Sequence, residues 1–403
     1  MTRMPPDPVA PHPGFTPPPL PPPMRPPPPR PPRKRLLGLL GAVALAVLLS
    51  AVAGAWRWKH SRPPVKPIWS VEAEAFPTEF EGYGGNAFCT ADGTLVGWNG
   101  HRTTGANEPI LFTAPSPGLQ SQFIRCAGNG PESATFSSSA WDAGNRTLLV
   151  FGGWTTTPDA PTADLWSLRS NAVEPVWSLL RGREATGPRP RNGAAAAYDA
   201  AKHRLVVFGG DGGPTSSSFT PLGDCWQFDT TMGQWAPIPP AGDVPSARWH
   251  ASMVADNAAG KAYLIGGAGR SSGPDDDTLY EFDLRVDRWR RVAVTGSRPP
   301  SLQGATMTFD DANGVIVLAG GLRHSGWGAA TFSDAWVFDP ETAQWDRTDC
   351  GEVLRRRDHL GAYDPVGQSH LLIGGRVSSR VGDFYDRGTT VKAGVRLKVK
   401  RVP

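Results

Sequence analysis

Cysteine is scarce in this chain: four in 403 residues, Cys89, Cys126, Cys225 and Cys350. None forms a CxxC pair or has a histidine at metal-ligand spacing, which excludes the common zinc modules and leaves buried free thiols as the expectation. A Cys89–Cys126 disulfide would need Cys126 in a loop, because the pattern developed below puts the two near opposite edges of one sheet. Also missing are a GxSxG elbow, a phosphate-cradling GxxxxGK[ST] loop and an HExxH helix, so no local motif announces hydrolysis, nucleotide or metalloprotease chemistry. Neither a metal nor a cofactor is expected.

A basic surplus is missing too, despite a formal charge of +4. Residues 1 to 62 hold nine Lys/Arg and one acid, Asp7, leaving 32 basic against 36 acidic side chains in the remainder. A mildly acidic main body excludes nucleic acid as the principal partner, since phosphate binding needs a clear cationic face.

Proline, by contrast, crowds the start. Residues 1–35 are almost all Pro and Arg and cannot bury a core; they are expected to be disordered, sampling polyproline II either as a spacer or as a docking ligand. Residues 36–56 follow with 21 positions free of charge, about 31 Å as a helix, enough to span a bilayer. Arg30, Arg33, Lys34 and Arg35 precede this run, Arg57, Lys59 and Arg62 follow it, and Trp56 and Trp58 sit where an interfacial belt would form. The expectation is an uncleaved transmembrane signal anchor with a cytoplasmic N-terminus. Cleavage at Ala53-Gly54-Ala55 is the rival. Residues 57–65 read as a linker, and either way the remainder, 66–403, is placed on the periplasmic or extracellular side.

That remainder repeats. Apolar runs end on paired glycines at Gly152-Gly153, Gly209-Gly210, Gly266-Gly267, Gly320-Gly321 and Gly374-Gly375, the second glycines 57, 57, 54 and 54 residues apart. Each unit reads as four antiparallel strands, clearest in the third: a small-residue strand through Gly193–Tyr198, the run Leu205–Gly210, an alternating strand Asp224–Asp229, and a last strand opening with Trp235. Aromatic pairs nine residues apart recur at Trp226/Trp235, Tyr280/Trp289 and Trp336/Trp345. Thr94–Gly100 looks like a degraded sixth copy.

A double glycine, then an aromatic, then a spaced Trp resembles the Kelch repeat. That resemblance covers roughly residues 66 to 403 and implies an all-β, six-bladed β-propeller of four-stranded antiparallel blades. Pro67-Ile68-Trp69-Ser70-Val71 looks like the last strand of a blade, Pro175–Leu179, without a blade of its own. Trp69 is therefore expected to complete the blade of Gly375, with Val395–Arg401 as its third strand. The alternative makes Asp383–Tyr385 the third strand and 395–401 the fourth, leaving Trp69 outside.

In such a blade the start of the first strand and the loop after the double glycine share one face, where function is expected. Arg191, Arg248 and Arg356 or Arg357 lead into first strands there, and the loops add Arg270, Arg323, His324, Arg376 and Arg380. The candidate ligand-binding set is Arg191, Arg248, Arg357, Arg270, Arg323, His324 and Arg376. These cations either ring a channel mouth suited to a carboxylate, an acidic sugar or an acidic peptide, or pair with loop acids such as Asp211 and merely fix the loops. His250 and His359 fall two residues after strand-leading arginines and read as structural. Asp275–Asp277 reads as a solvated acidic run, and Asn145-Arg146-Thr147 is a glycosylation sequon on a turn.

The resemblance implies an interaction platform for a protein or carbohydrate ligand, displayed from the membrane. The alternative it implies is a sugar-processing enzyme similar to the sialic acid mutarotases; similarity to galactose oxidase is weaker because no Tyr, Cys and His set for copper can be assembled from the six tyrosines.

Overall fold

The computed structural model describes residues 67–402 apart from 78–81, 85, 90–93, 99–100, 103–109, 116–121, 126–129, 132–134, 157, 170–174, 183–185, 216–217, 270–276, 326–327, 378–388 and 392. The expected Pro-rich segment, anchor and linker, and with them Cys126, Arg270 and Arg380, lie outside the described residues. Among the described residues no helix is long and apolar enough to cross a membrane; their helical content is one 3-10 turn, Gly351–Val353.

The remaining regular structure among the described residues is sheet. In chain order, the sheets that carry the fold begin with Asn86–Cys89, Thr94–Trp98, Ile110–Pro115 and Gln122–Arg125. The second contains Ser138–Asp142, Thr147–Phe151, Leu165–Arg169 and Trp177–Arg181, and the third Ala195–Asp199, Arg204–Phe208, Cys225–Asp229 and Gln234–Ile238. The fourth runs Trp249–Asp256, Lys261–Ala268, Tyr280–Asp283, Arg288–Arg291. The fifth has Thr306–Asp310, Val315–Ala319, Asp334–Asp339 and Gln344–Asp349, plus a fifth strand, Thr295–Gly296, parallel to its outer edge. Sequence reading missed that extra strand, because two residues carry no alternation to read. The sixth joins Leu360–Asp364, Ser369–Ile373 and Ala393–Arg401 to Trp69–Pro77 from the other end of the chain.

Trp69–Pro77 pairs antiparallel with Ala393–Arg401 from Trp69↔Arg401 to Pro77↔Ala393. The neighbouring sheet holds the same strand: the Ile68 and Trp69 N–H groups donate to Asp346 Oδ2 at 2.7 and 2.8 Å, and the Trp69 indole donates to Asp339 Oδ2 at 3.1 Å. This closure removes two sheet edges that would otherwise template aggregation. Asp383–Tyr385, the third strand of the alternative arrangement, lies outside the described residues.

The double glycines explain themselves. All five pairs have positive φ at both positions, 64–74° at the first and 85–106° at the second, a region that costs other residues strain. The reason is close approach: a Cβ on Gly209 would come to 2.5 Å from the carbonyl oxygen of Arg248, in the next sheet. Gly210 N–H donates to that same carbonyl at 2.8 Å, as Gly153 does to Arg191, Gly267 to Leu302 and Gly321 to Arg356. At these four corners each blade is thus clasped to the leading residue of the next.

Tryptophans fill the widening space outside. Trp235 packs on Phe151 of the preceding sheet with ring centroids 5.0 Å apart, Trp289 on Phe208 at 5.2 Å, and Trp177 on Trp98 at 5.3 Å. Small inner-strand residues complete the taper, with hydroxyls stitching inner strands across blades: Ser138 Oγ donates to Ala194 O, Ser252 Oγ to Ala305 O, Thr306 Oγ1 to His359 O. The space they enclose is an axial channel of about 400 Å³.

Candidate functional site

One end of that channel is drawn together by a closed ring of backbone hydrogen bonds. The N–H of Phe136 donates to Gly84 O, Gly193 to Phe136 O, His250 to Gly193 O, Gly304 to His250 O, Asp358 to Gly304 O, and Gly84 to Asp358 O, at 2.7–3.4 Å. Each residue leads one blade, and all six have φ between +54 and +68°. Only that left-handed bend turns both N–H and C=O along the ring before the chain drops into the first strand.

Glycine alternates with a side-chain-bearing residue around the ring, and the reason is steric. A Cβ on Gly193 would overlap the His250 imidazole, one on Gly304 the Asp358 carboxylate, and one on Gly84 would press on the Phe136 ring at 3.1 Å. Phe136, His250 and Asp358 therefore lie over their glycine neighbours at the mouth. For non-glycine residues this conformation carries strain, a recurrent mark of functional positions.

The mouth is aromatic and hydrogen-bonding. His250 lies between Phe136 and Trp249, centroids 4.4 and 4.2 Å away and the ring planes tilted by 55° and 46°. Tyr83 stands 6.4 Å beyond Phe136, and Phe219, half exposed, stands 5.3 Å beyond Trp249. Burial pushes the His250 imidazole down to about 4, so it is neutral at pH 7 with one donor and one acceptor. Its Nε2 is out of contact with solvent and has no hydrogen-bond partner. Asp358 accepts from Arg357 Nη1 at 2.9 Å and Arg376 Nε at 2.8 Å. Burial opposes its ionisation, but the two guanidinium groups hold its carboxyl below the usual range. Arg376 also lies over the Tyr83 ring at 4.3 Å, a cation–π contact.

The sequence-derived cations divide. Arg357 and Arg376, 19 positions apart, come together through mutual backbone bonds of 3.0 Å and their shared carboxylate. Arg191 and Arg248 sit beneath the surface at 0% and 1% exposure. Arg191 forks onto Asp224, not Asp211, at 2.7 and 2.9 Å and donates to Gly209 O at 2.9 Å. Arg248 donates to Gly266 O, Ser246 O and Ser246 Oγ. Arg323 is exposed on the hairpin Leu322–Ser325/Gly328–Thr331, with His324 on the same strand.

The register corrects one assignment. Arg356 Nη1 donates to Gly374 O across the same 18-residue span as Arg191 to Gly209 and Arg248 to Gly266. Arg356 is therefore the strand-leading arginine, and Arg357 stands one residue further in. The counterpart of His250 is then Asp358, and His359 falls out of that register; buried at 4% exposure, it is pushed down to about 3 by burial and the Arg356 charge. Phe136, Asp358 and Tyr83 escaped sequence reading. The available signal was the residue leading each inner strand, glycine at Gly84, Gly193 and Gly304 but a side-chain-bearing residue at the other three.

Among the described residues no group of three or more His, Cys, Asp or Glu is placed to hold a metal ion. Cys225 is a buried free thiol and Cys350 a partly buried one.

Comparison with known proteins agrees with the repeat. The model of the KLHDC2/KLHL20/DRC7 Kelch-repeats domain matches residues 85–258 and 200–386. Multiple epidermal growth factor-like domains protein 8 of Mus musculus is 26% identical over 248 residues, 58% of this chain and 8% of that protein. Kelch domain-containing protein 10 of Xenopus laevis is 25% identical over 213 residues, 50% of this chain and 48% of that one. The chain thus spans less than half the length of these curated relatives. The solved structure of YjhT matches with a TM-score of 0.58 at 16% identity, over 81% of this chain and 99% of that one, a likeness of fold. The double-glycine corners, the wedge tryptophans and these matches have one reading: the chain belongs to the Kelch-repeat family.

Proposed function

We propose that this protein is a binding module, a closed six-bladed propeller that engages a protein or glycan partner through the loop face around the channel mouth. The carrying observation is the concentration of strained, chemistry-bearing residues on that face. Phe136, His250 and Asp358 are all held at positive φ, beside Arg357, Arg376 and the exposed Arg323 hairpin. Rigid blades presenting variable loops is the general arrangement of recognition surfaces.

Membrane display forms part of the proposal. Residues 36–56 would be a signal anchor leaving the N-terminus in the cytoplasm and the propeller in the periplasm or outside the cell. In support, Trp69 pairs with Arg401, at the end of the blade opposite the double-glycine loops, so the chain enters the propeller away from the candidate face. The full chain should fractionate with membranes, resist carbonate extraction and be open to protease from the non-cytoplasmic side. Extraction by carbonate would overturn the anchor.

A second reading, a sugar-processing enzyme, draws on His250 and Asp358 standing at one mouth of a concave channel. The discriminating experiment screens the full-length chain for bound proteins and glycans, and for sugar turnover by NMR, with Arg376→Ala and Arg323→Ala in parallel. Saturable binding without turnover, weakened by either variant, supports the module; mutarotation or oxidation lost on substitution supports the enzyme.

A further inference from the structure

On the face opposite the loops, we infer that the axial channel is a binding site for a small organic cation with N–H donors, a primary amine or a guanidine, whose charge rests on Asp311 at the rim while the charge of Asp256 adds to the pull. The site is independent of the loop face.

The channel holds about 400 Å³, in the range of small-ligand sites. At the loop face the hydrogen-bonded ring draws it together; at the other end, where the inner strands finish, Val254, Asn257, Phe309 and Asp311 line it. Each inner strand is the edge of its sheet, so main-chain carbonyls face the space as acceptors for N–H groups. The walls are small, Ala195, Ala197 and Ala255 among them, and leave room for a ligand's hydrocarbon part.

The inner strands end on aspartates, and the register shows which of them are answered. Asp142 accepts from the Tyr198 hydroxyl of the next blade at 2.7 Å, and Asp199 from Arg204 Nε at 2.9 Å. Asp256, at 8% exposure, receives among the described residues only the Ala259 N–H, at 2.9 Å on Oδ1. In the place of Tyr198 the next blade presents Phe309, which has no hydroxyl to give. Lys261 stands opposite Asp256 in the hairpin, as Arg204 does opposite Asp199, but its ammonium goes to Glu281 at 3.2 Å. What the next blade does bring is a second carboxylate, the exposed Asp311. Desolvation against the rim, then the charges of Asp310 and Asp256, raise its carboxyl above the usual range, and no ion pair answers it among the described residues.

Crowded carboxylates at the end of a concave space favour a positive ligand. The protein's own cations on this face are spent: Arg204 on Asp199 and Asp287, Lys202 on Asp287. A metal ion fits poorly, since among the described residues no three His, Cys, Asp or Glu side chains converge and hard cations take about six or more oxygens. An ammonium or guanidinium group fits better, because its N–H donors serve the Asp311 carboxylate and the strand-edge carbonyls together.

The test is calorimetry and saturation-transfer NMR on the full-length chain in detergent, with agmatine, putrescine and butylamine against tetramethylammonium, butanol, Ca²⁺ and Mg²⁺. Expected is saturable binding of at least one N–H cation with Kd of roughly millimolar or tighter, weakened by added salt. Tetramethylammonium, which has the charge but no donor, should bind about tenfold or more weakly. Asp311→Asn removes a crowded charge at an exposed position, so it should keep or raise Tm while weakening the amine about tenfold or more. Asp256→Asn should weaken it less, and Glu341→Gln, an exposed carboxylate on another turn, should leave it unchanged. The site is refuted if no amine or guanidine saturates, if Asp311→Asn binds unchanged, if Glu341→Gln weakens binding as much as Asp311→Asn, or if tetramethylammonium, butanol or a divalent ion binds as well. None of these outcomes touches the loop-face reading, which stands or falls on its own screen.

Discussion

A φ of +54° costs a histidine what it does not cost a glycine. His250 bears that strain with a φ of +54°, and its ring occupies the space that Gly193 leaves by having no side chain. Gly193→Ala should therefore lose about 2 kcal/mol or more of stability, from strain at φ +59° plus overlap with the imidazole. Adding His250→Gly should recover part of that loss, a coupling that urea titration of the four-member cycle would show. The histidines also set an acid limb. His250 and His359 are held down to about 4 and about 3 by burial, whereas unfolded histidine titrates near 6.5. The unfolded state thus takes up protons first, so stability is intact above about pH 6.5 and falls as pH drops toward 4, by on the order of 3 kcal/mol for His250. Urea midpoints from pH 7.5 to 4 should show this slope, and His250→Gly should flatten it; an unchanged slope in that variant would sink the assignment. None of this was legible in composition or spacing. His250 could be placed near a strand start from sequence, but that its neighbour across the ring would be Gly193, from another blade, depends on closure.

At the scale of the element, the repeat unit is a clasp. Four of the five double glycines take the carbonyl of the next blade's leading residue, and the leading arginine, where present, fastens its own blade's glycine carbonyl. Arg191→Lys keeps a charge but loses the fork onto Asp224, so about 2–4 kcal/mol should be lost, with a lower thermal midpoint and little change in ligand affinity. The fifth and sixth sheets are joined by a different device. Thr308 Oγ1 lies 2.7 Å from His370 Nδ1, and His370 Nε2 lies 3.6 Å from Asp310 Oδ2. Burial opposes ionisation of Asp310, but His370 and Asn313 hold its carboxyl well below the usual range. With a folded value below the unfolded one near 3.9, its stabilisation is present above about pH 4 and fades as pH falls further. Asp310→Asn should accordingly be less stable at neutral pH and lose less on going from pH 4 to pH 2.5, a difference readable from urea midpoints. Blade positions were legible because a double glycine and a nine-residue aromatic spacing are local patterns. The clasp was not, since its two halves come from adjacent units.

For the whole molecule, stability hangs on one strand. Trp69–Pro77 is separated from its partner Ala393–Arg401 by nearly the full chain, and it also takes Asp346 and Thr348 of the neighbouring sheet as hydrogen-bond acceptors. Deleting residues 63–73 should abolish cooperative unfolding and expose the sixth sheet to protease, because an open ring leaves two unpaired edges. Trp69→Ala should cost about 3–5 kcal/mol. A deletion variant that still melts as one sharp transition would show that closure is not the keystone.

By itself the sequence determined the β architecture, the repeat period, the strand order within each blade and the face on which loops gather, because each follows from alternation, turn residues and glycine spacing a few residues apart. Tertiary structure alone decided which arginines brace the ring and which reach its mouth, the identity of Arg356 as the third strand-leading arginine, and the meeting of Phe136, His250 and Asp358. The physical reason is distance along the chain: those six ring positions lie some fifty residues apart and meet through blade packing and hydrogen bonds that no local pattern encodes.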